Sequence, residues 1–255
     1  MNIPVWMQAF IWGLVVSSGL LLGAGIAFFS TLPHRVIAAI MGFGGGVLIS
    51  SLSFELMDEA YQVGGFAAAS LGFLAGGALF STVNWILSGR GAKHRKRCSE
   101  CYRDAPEEEK GGSGLALAVG SLVDGIPEAI VIGISLIGGI TISSMVLVGF
   151  FLANLPQGLA SAEGMKGAGR SPRYIFGVWT GVVFFSGIAS LLGYTVFGGF
   201  PPAVIAFLTA LAAGGMLAMI AETMIPEAFQ EVQSFIGLIT VVGFLAFYIL
   251  IHLGS

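Results

Sequence analysis

The chain has 255 residues, of which 56% are hydrophobic and only 10% charged, and its net charge is −3. A soluble domain carries roughly 25% charged residues, and a water-facing surface this apolar would present large greasy patches. Composition therefore excludes an ordinary soluble domain and points to a lipid bilayer as solvent. Spanning the hydrocarbon takes roughly 20 apolar residues per helix, which leaves room for about nine spans at most. The 39 glycines, costly in soluble helices, let membrane helices approach closely. The two cysteines, Cys98 and Cys101, build no disulfide framework. The start Met1-Asn2-Ile3-Pro4-Val5-Trp6 lacks the positive region of a cleavable signal peptide, so the first apolar run is expected to be a retained span.

Taken in chain order, apolar runs between turn and charge signals predict eight helices, at about 5–29, 36–57, 65–87, 114–136, 141–165, 174–197, 203–226 and 235–253. Pro33-His34-Arg35 separates the first two. Gly64-Gly65 follows the second, Gly138-Gly139 follows the fourth, Ser171-Pro172-Arg173 precedes the sixth, and Pro201-Pro202 precedes the seventh. The polar stretch 88–113 reads as a mobile loop inside a single transmembrane domain covering 1–255.

With eight spans, every Lys and Arg falls on one side. They are Arg35 between helices 1 and 2, then Arg90, Lys93, Arg95, Lys96, Arg97, Arg103 and Lys110 between 3 and 4, then Lys166, Arg170 and Arg173 between 5 and 6. Positive loops stay in the cytoplasm. The expected topology is thus a multi-pass protein of the cell (plasma or inner) membrane, with the 88–113 loop cytoplasmic and both termini outside.

Helix 2 reads Gly45-Gly46-Val47-Leu48 and ends Glu55-Leu56-Met57-Asp58-Glu59-Ala60. Helix 7 reads Gly214-Gly215-Met216-Leu217 and ends Glu222-Thr223-Met224-Ile225-Pro226-Glu227-Ala228. In the expected topology the two run in opposite directions, as an inverted repeat of helices 1–3 and 6–8 would require. A glycine-rich chain can also repeat such short strings by chance.

Ionisable groups inside a membrane are functional candidates. Helix 4 places Ser121, Asp124 and Glu128 on one face, the two carboxylates at i, i+4. Helix 5 places Asn154 and Gln157 on one face at i, i+3. Pro127 and Pro156 free the carbonyls of Val123 and Leu152, which then need a partner. Two carboxylates one turn apart repel in low dielectric, so one protonates or a cation sits between them. A divalent metal held by Asp124, Glu128, Asn154 and Gln157 answers both needs. The plain alternative is that the amides only bridge helices. Glu55 at the end of helix 2, Ser121, Glu163 on helix 5 and Glu222 on helix 7 are the candidate pathway groups, with an interfacial carboxylate facing water as the equal alternative for Glu55 and Glu222. For Glu163 an ion pair with Lys166 is the simpler reading. No His or Cys falls in mid-span, and oxygen ligands favour harder ions. In the 88–113 loop, Cys98 and Cys101 with His94 offer three of the four ligands a closed zinc site needs; the simpler reading, which is preferred, is two reduced thiols in a basic loop that serves topology.

Ile126-Pro127-Glu128-Ala129-Ile130-Val131-Ile132-Gly133 resembles the fourth-helix motif of the ZIP metal transporters, His-Asn-x-Pro-Glu-Gly-x-x-x-Gly. Asn154-Leu155-Pro156-Gln157-Gly158 is similar to their fifth-helix Asn-x-Pro-Glu-Gly, and the end of helix 2 to their Leu-Leu-Pro-Glu-Ala segment. This chain departs at Asp124-Gly125, where the family has His-Asn, and at Gln157, where it has Glu. A second register would set Gly120-Ser121 at the His-Asn pair. The resemblance implies an all-α membrane protein with eight transmembrane helices in a 3+2+3 inverted-repeat arrangement. It also implies secondary transport of divalent cations (zinc, manganese, iron or similar) into the cytosol. A non-transporting or weakly transporting relative, acting as a membrane metal sensor or regulator, is the alternative. No enzymatic activity, resident cofactor or nucleic-acid partner is expected. The expected partners are the transported metal ion and the bilayer, and a homodimer is kept as a further one.

Overall fold

The computed structural model describes residues 3–88, 125–137, 144–167, 169–232 and 234–254. Ser121, Asp124 and, beyond its first residue, the 88–113 loop with His94, Cys98 and Cys101 lie outside the described residues. Within them the structure is helical, with no strand. In chain order the helices are α1 (Val5–Phe29), α2 (His34–Ser51), α3 (Met57–Ser88), α4 (Gly125–Ile134), α5 (Ser144–Gly167), α6 (Pro172–Phe197), α7 (Pro202–Met219), α8 (Ile225–Val232) and α9 (Ile236–Gly254). Two π segments, Leu52–Leu56 and Ile220–Met224, join α2 to α3 and α7 to α8.

Among the described residues, five continuous helical stretches are long and apolar enough to cross a membrane: Val5–Phe29, His34–Ile86, Pro172–Phe197, Pro202–Gln230 and Ile236–Leu253. Their large apolar side chains point outward as well as inward. Phe29, Leu74, Trp85 and Leu253 are all exposed, which suits hydrocarbon and not water. The chain is a multi-pass α-helical membrane protein.

Local chemistry explains the helix ends. Pro4, Pro33 and Pro201 stand just before α1, α2 and α7, and Pro172 and Pro202 open α6 and α7. Proline is suited to these positions, where its missing N–H has no helical partner to lose. Ser171 caps α6 by accepting from the Tyr174 N–H at 3.3 Å. The 53-residue stretch His34–Ile86 is two helices in space. Gly65 has φ 74° and ψ 179°, a conformation open essentially to glycine alone, and the chain reverses there. Phe235, just before α9, also has positive φ, at 70°.

Glycine contacts give the directions of packing. A methyl carbon built on Gly45 would meet Ile220 and Ile225, and one on Gly64 would meet Ala206 and Ala203, so the helical stretch 34–64, α2 and the start of α3, runs antiparallel to α7. Beyond Gly65 the order rises together (Gly72 with Phe207, Gly76 with Leu211), so α3 runs parallel to α7. Likewise α9 is parallel to α2 (Gly42 with Ile236, Gly46 with Thr240), and α5 is parallel to α1 (Gly23 with Leu155, Lys166 Nζ donating to Ala27 O at 3.0 Å).

These contacts recur in pairs. A carbon on Gly46 would fall 1.9 Å from Thr240 O, and one on Gly214 falls 2.0 Å from Phe73 O. Gly76 meets Leu211 O at 1.8 Å, and Gly243 meets Phe43 O at 2.1 Å. Aligning Leu52–Leu56 on Ile220–Met224 sets Gly46 on Gly214 and Phe43 on Leu211. A second set joins the remaining helices: Gly23 with Leu155 O and Gly158 with Leu20 O on one side, Gly193 with Ile130 O and Gly133 with Ser190 O on the other. Helices α1, α4, α5 and α6 thus pack through one group of backbone contacts, and α2, α3, α7 and α9 through another. The groups meet where Gly44 abuts Pro156 and Gly149 abuts Phe247.

Candidate metal site

The polar groups of α4 and α5 lie inside the first helix group. Glu128, Asn154 and Gln157 are 5%, 2% and 5% exposed. Asn154 Nδ2 donates to Glu128 Oε1 at 3.2 Å and reaches Val16 O at 3.5 Å. Val16 O can only accept, so the amide nitrogen must face it. The carbonyl oxygen of Asn154 is engaged in neither contact.

Glycine makes this proximity achievable. A carbon on Gly19 would fall 2.5 Å from Phe151 O and 3.1 Å from Asn154 Cβ, and one on Gly158 would fall 2.1 Å from Leu20 O. Any side chain at these positions would push α1 away from α5 and take Val16 O from Asn154. Pro156 lies inside α5, which nevertheless runs unbroken from Ser144 to Gly167. Its ring instead sets the contact with α2, where a carbon on Gly44 would meet Pro156 Cγ at 2.6 Å.

The structure therefore brings Glu128 and Asn154 into direct contact and buries Gln157 one turn further along the same face of α5. Asp124, the expected second carboxylate, lies outside the described residues. Among the described residues no three His, Cys, Asp or Glu side chains are grouped so as to hold a metal ion. What is present is one buried carboxylate, Glu128, with the Asn154 amide beside it; carboxylate and amide oxygens are donors of the kind that hard cations take.

The expected pathway residues are placed apart from this pair. Glu55 sits in the first π segment, half-buried, and Glu222 in the second, exposed. Glu163 follows Asn154 by two and a half helical turns, on the opposite side of α5. Lys166 donates to Ala27 O.

Two further groups were not anticipated. Ser81 Oγ and Asn84 Nδ2 of α3 both donate to the Glu222 carboxylate, Asn84 at 2.7 Å. Their i, i+3 spacing in an apolar run was the available signal. The second group is a set of fully buried serine hydroxyls, Ser50, Ser51, Ser161 and Ser186, whose Oγ atoms have no hydrogen-bond partner among the described residues.

Neither a scan of protein-family models nor a comparison with curated proteins gives a match to this chain.

Proposed function

We propose that this chain is a ZIP-like secondary transporter that moves divalent metal cations across the membrane into the cytosol. The carrying observation is a carboxylate, Glu128, buried in a membrane-embedded helix group and touching the Asn154 amide of a second proline-containing helix. Burying a charge in such a medium is costly, and a site that takes up and releases a cation gives that burial a use. Asp124, one turn before Glu128 in sequence, is the second carboxylate of the proposed site, and Gln157 supplies a further oxygen.

The proposed architecture is eight spans in a 3+2+3 arrangement, with α1–α3 and α6–α9 as inverted halves and α4 and α5 between them. Three observations support it: the matched π segments, the matched glycine–carbonyl contacts, and the antiparallel run of α2 against α7. In this reading, access alternates as the α1/α4/α5/α6 group shifts against the α2/α3/α7/α9 group across the contact at Gly44, Pro156 and Gly149. The one-sided Lys and Arg residues support cytoplasmic placement of the 88–113 loop.

The test is uptake of manganese, zinc, iron and cobalt into vesicles carrying the reconstituted chain. Wild type is expected to accumulate at least one of them, and Glu128→Gln and Asp124→Asn to fall to the level of empty vesicles. A wild type that moves none of the four, or two variants that match wild type, ends the transport reading.

A further inference from the structure

The π segment of α2 begins directly after two serines that the proposed metal site does not use. Ser50 and Ser51 are both 0% exposed, and neither Oγ has a hydrogen-bond partner among the described residues. A buried hydroxyl without a partner costs free energy. The backbone beside them is loosened, since the Met57 N–H bonds to Leu52 O, five residues back rather than four. Such π turns recur at functional positions. Across from Ser51, Gly149 presents α5 backbone beside the Phe247 ring: a carbon built there would come 2.6 Å from Phe247 and 3.3 Å from Ser51 Oγ. Glu55 lies four residues beyond Ser51, on the same side of the chain and within the π segment.

The second half of the molecule provides an internal control. α7 makes the same π turn at Ile220–Met224, but Ala218 and Met219 stand where α2 has Ser50 and Ser51. The turn forms without hydroxyls, so the serines are not there to build it.

We propose that Ser50 and Ser51 form a binding position for a monovalent cation of sodium size, separate from the Glu128 site. Neutral hydroxyl oxygens and the carbonyls of a loosened helix are donors of the kind that hold sodium in membrane transporters. A divalent ion calls for more carboxylate charge than these two residues supply. The acidic Glu55 one turn away favours cation entry without having to be a ligand.

The experiment follows thermal unfolding of the full chain in detergent, in sodium, potassium or choline chloride at constant ionic strength. Sodium, alone of the three, is expected to raise the midpoint saturably, because an ion that binds the folded state stabilises it. Ser50→Ala and Ser51→Ala are each expected to weaken the sodium dependence about tenfold, near 1.4 kcal/mol, and the double variant to abolish it. Glu128→Gln is expected to keep it. Absence of a sodium-specific rise in wild type overturns the proposal, as does a rise unchanged in both single variants. Equal loss in Glu128→Gln places the ion at the other site and overturns it too. If the double variant does not fold, the single variants decide. A chain that moves no divalent ion leaves this test intact, because it reads sodium binding and not uptake.

Discussion

At the scale of residues, one contact organises the candidate site. Asn154 ties α5 to Glu128 of α4 and to Val16 O of α1 with a single amide nitrogen. Asn154→Leu is therefore expected to leave a buried carboxylate without that donor, and uptake to fall on the order of tenfold, as for groups that orient a metal ligand. Asn154→Asp separates charge from shape: it keeps the volume, loses the amide donor and places a second carboxylate against Glu128. Uptake by Asn154→Leu equal to wild type removes Asn154 from the site. The residue-scale features visible in the sequence were the rare ones. Glu128, Asn154 and Gln157 stand out because an apolar span has few polar groups. Val16 gave no such signal, since its contribution is a backbone carbonyl that any residue has and only packing brings near. Ser81 and Asn84 acquire a role only because α3 returns parallel to α7 and meets Glu222.

At the scale of elements, the breaks carry the most information. The boundary at Gly64-Gly65 was expected, because glycine punctuates apolar runs, and Gly65 is the residue with positive φ. A carbon at Gly65 would meet nothing within 4 Å, so Gly65→Ala tests backbone conformation without a packing term. It is expected to destabilise by about 1–3 kcal/mol, read as a lowered thermal midpoint. A midpoint equal to wild type shows that the reversal does not depend on this conformation. Phe235, just before α9, also adopts positive φ without being glycine, and it is largely exposed. Phe235→Gly relieves a left-handed strain of roughly 1 kcal/mol and removes little packing, so its midpoint is expected not to fall. A clear drop assigns Phe235 a contact role instead. Sequence could not flag Phe235, because a bulky residue is the last one expected at positive φ. The π segments were equally hidden. One extra residue in a turn leaves an apolar run looking like any other, and helix 7 was expected to end near 226, whereas helical backbone continues to Val232.

At the scale of the whole molecule, backbone contacts through glycine hold the helices together, because hydrocarbon gives no hydrophobic drive between them. Gly46→Ala and Gly214→Ala occupy matched positions, each with a carbonyl about 2 Å from the added carbon. Both are expected to destabilise by about 1–3 kcal/mol and to do so to a similar extent. Gly177 and Gly181, which meet nothing within 4 Å, are the controls, and their alanine variants are expected to hold the wild-type midpoint. Equal behaviour of all four variants defeats the claim that these contacts are structural. Sequence suggested the relation between α2 and α7 through Gly-Gly and Glu-Ala. Aligning the two π segments sets Glu59-Ala60 on Glu227-Ala228, whereas Glu55 falls on Thr223 and Glu222 on Phe54, so the remaining acids do not match.

The sequence by itself determined that this is an α-helical membrane protein. Length of apolar run and position of proline are local properties, and a bilayer leaves a single-chain apolar run little choice but helix. Only the tertiary structure decided which helices run side by side, that α4 and α5 meet through Asn154, that Ser50 and Ser51 are sealed from solvent, and that α2 and α7 each lead into a π turn. Those depend on which glycine faces which carbonyl, a relation between distant residues that no local pattern encodes.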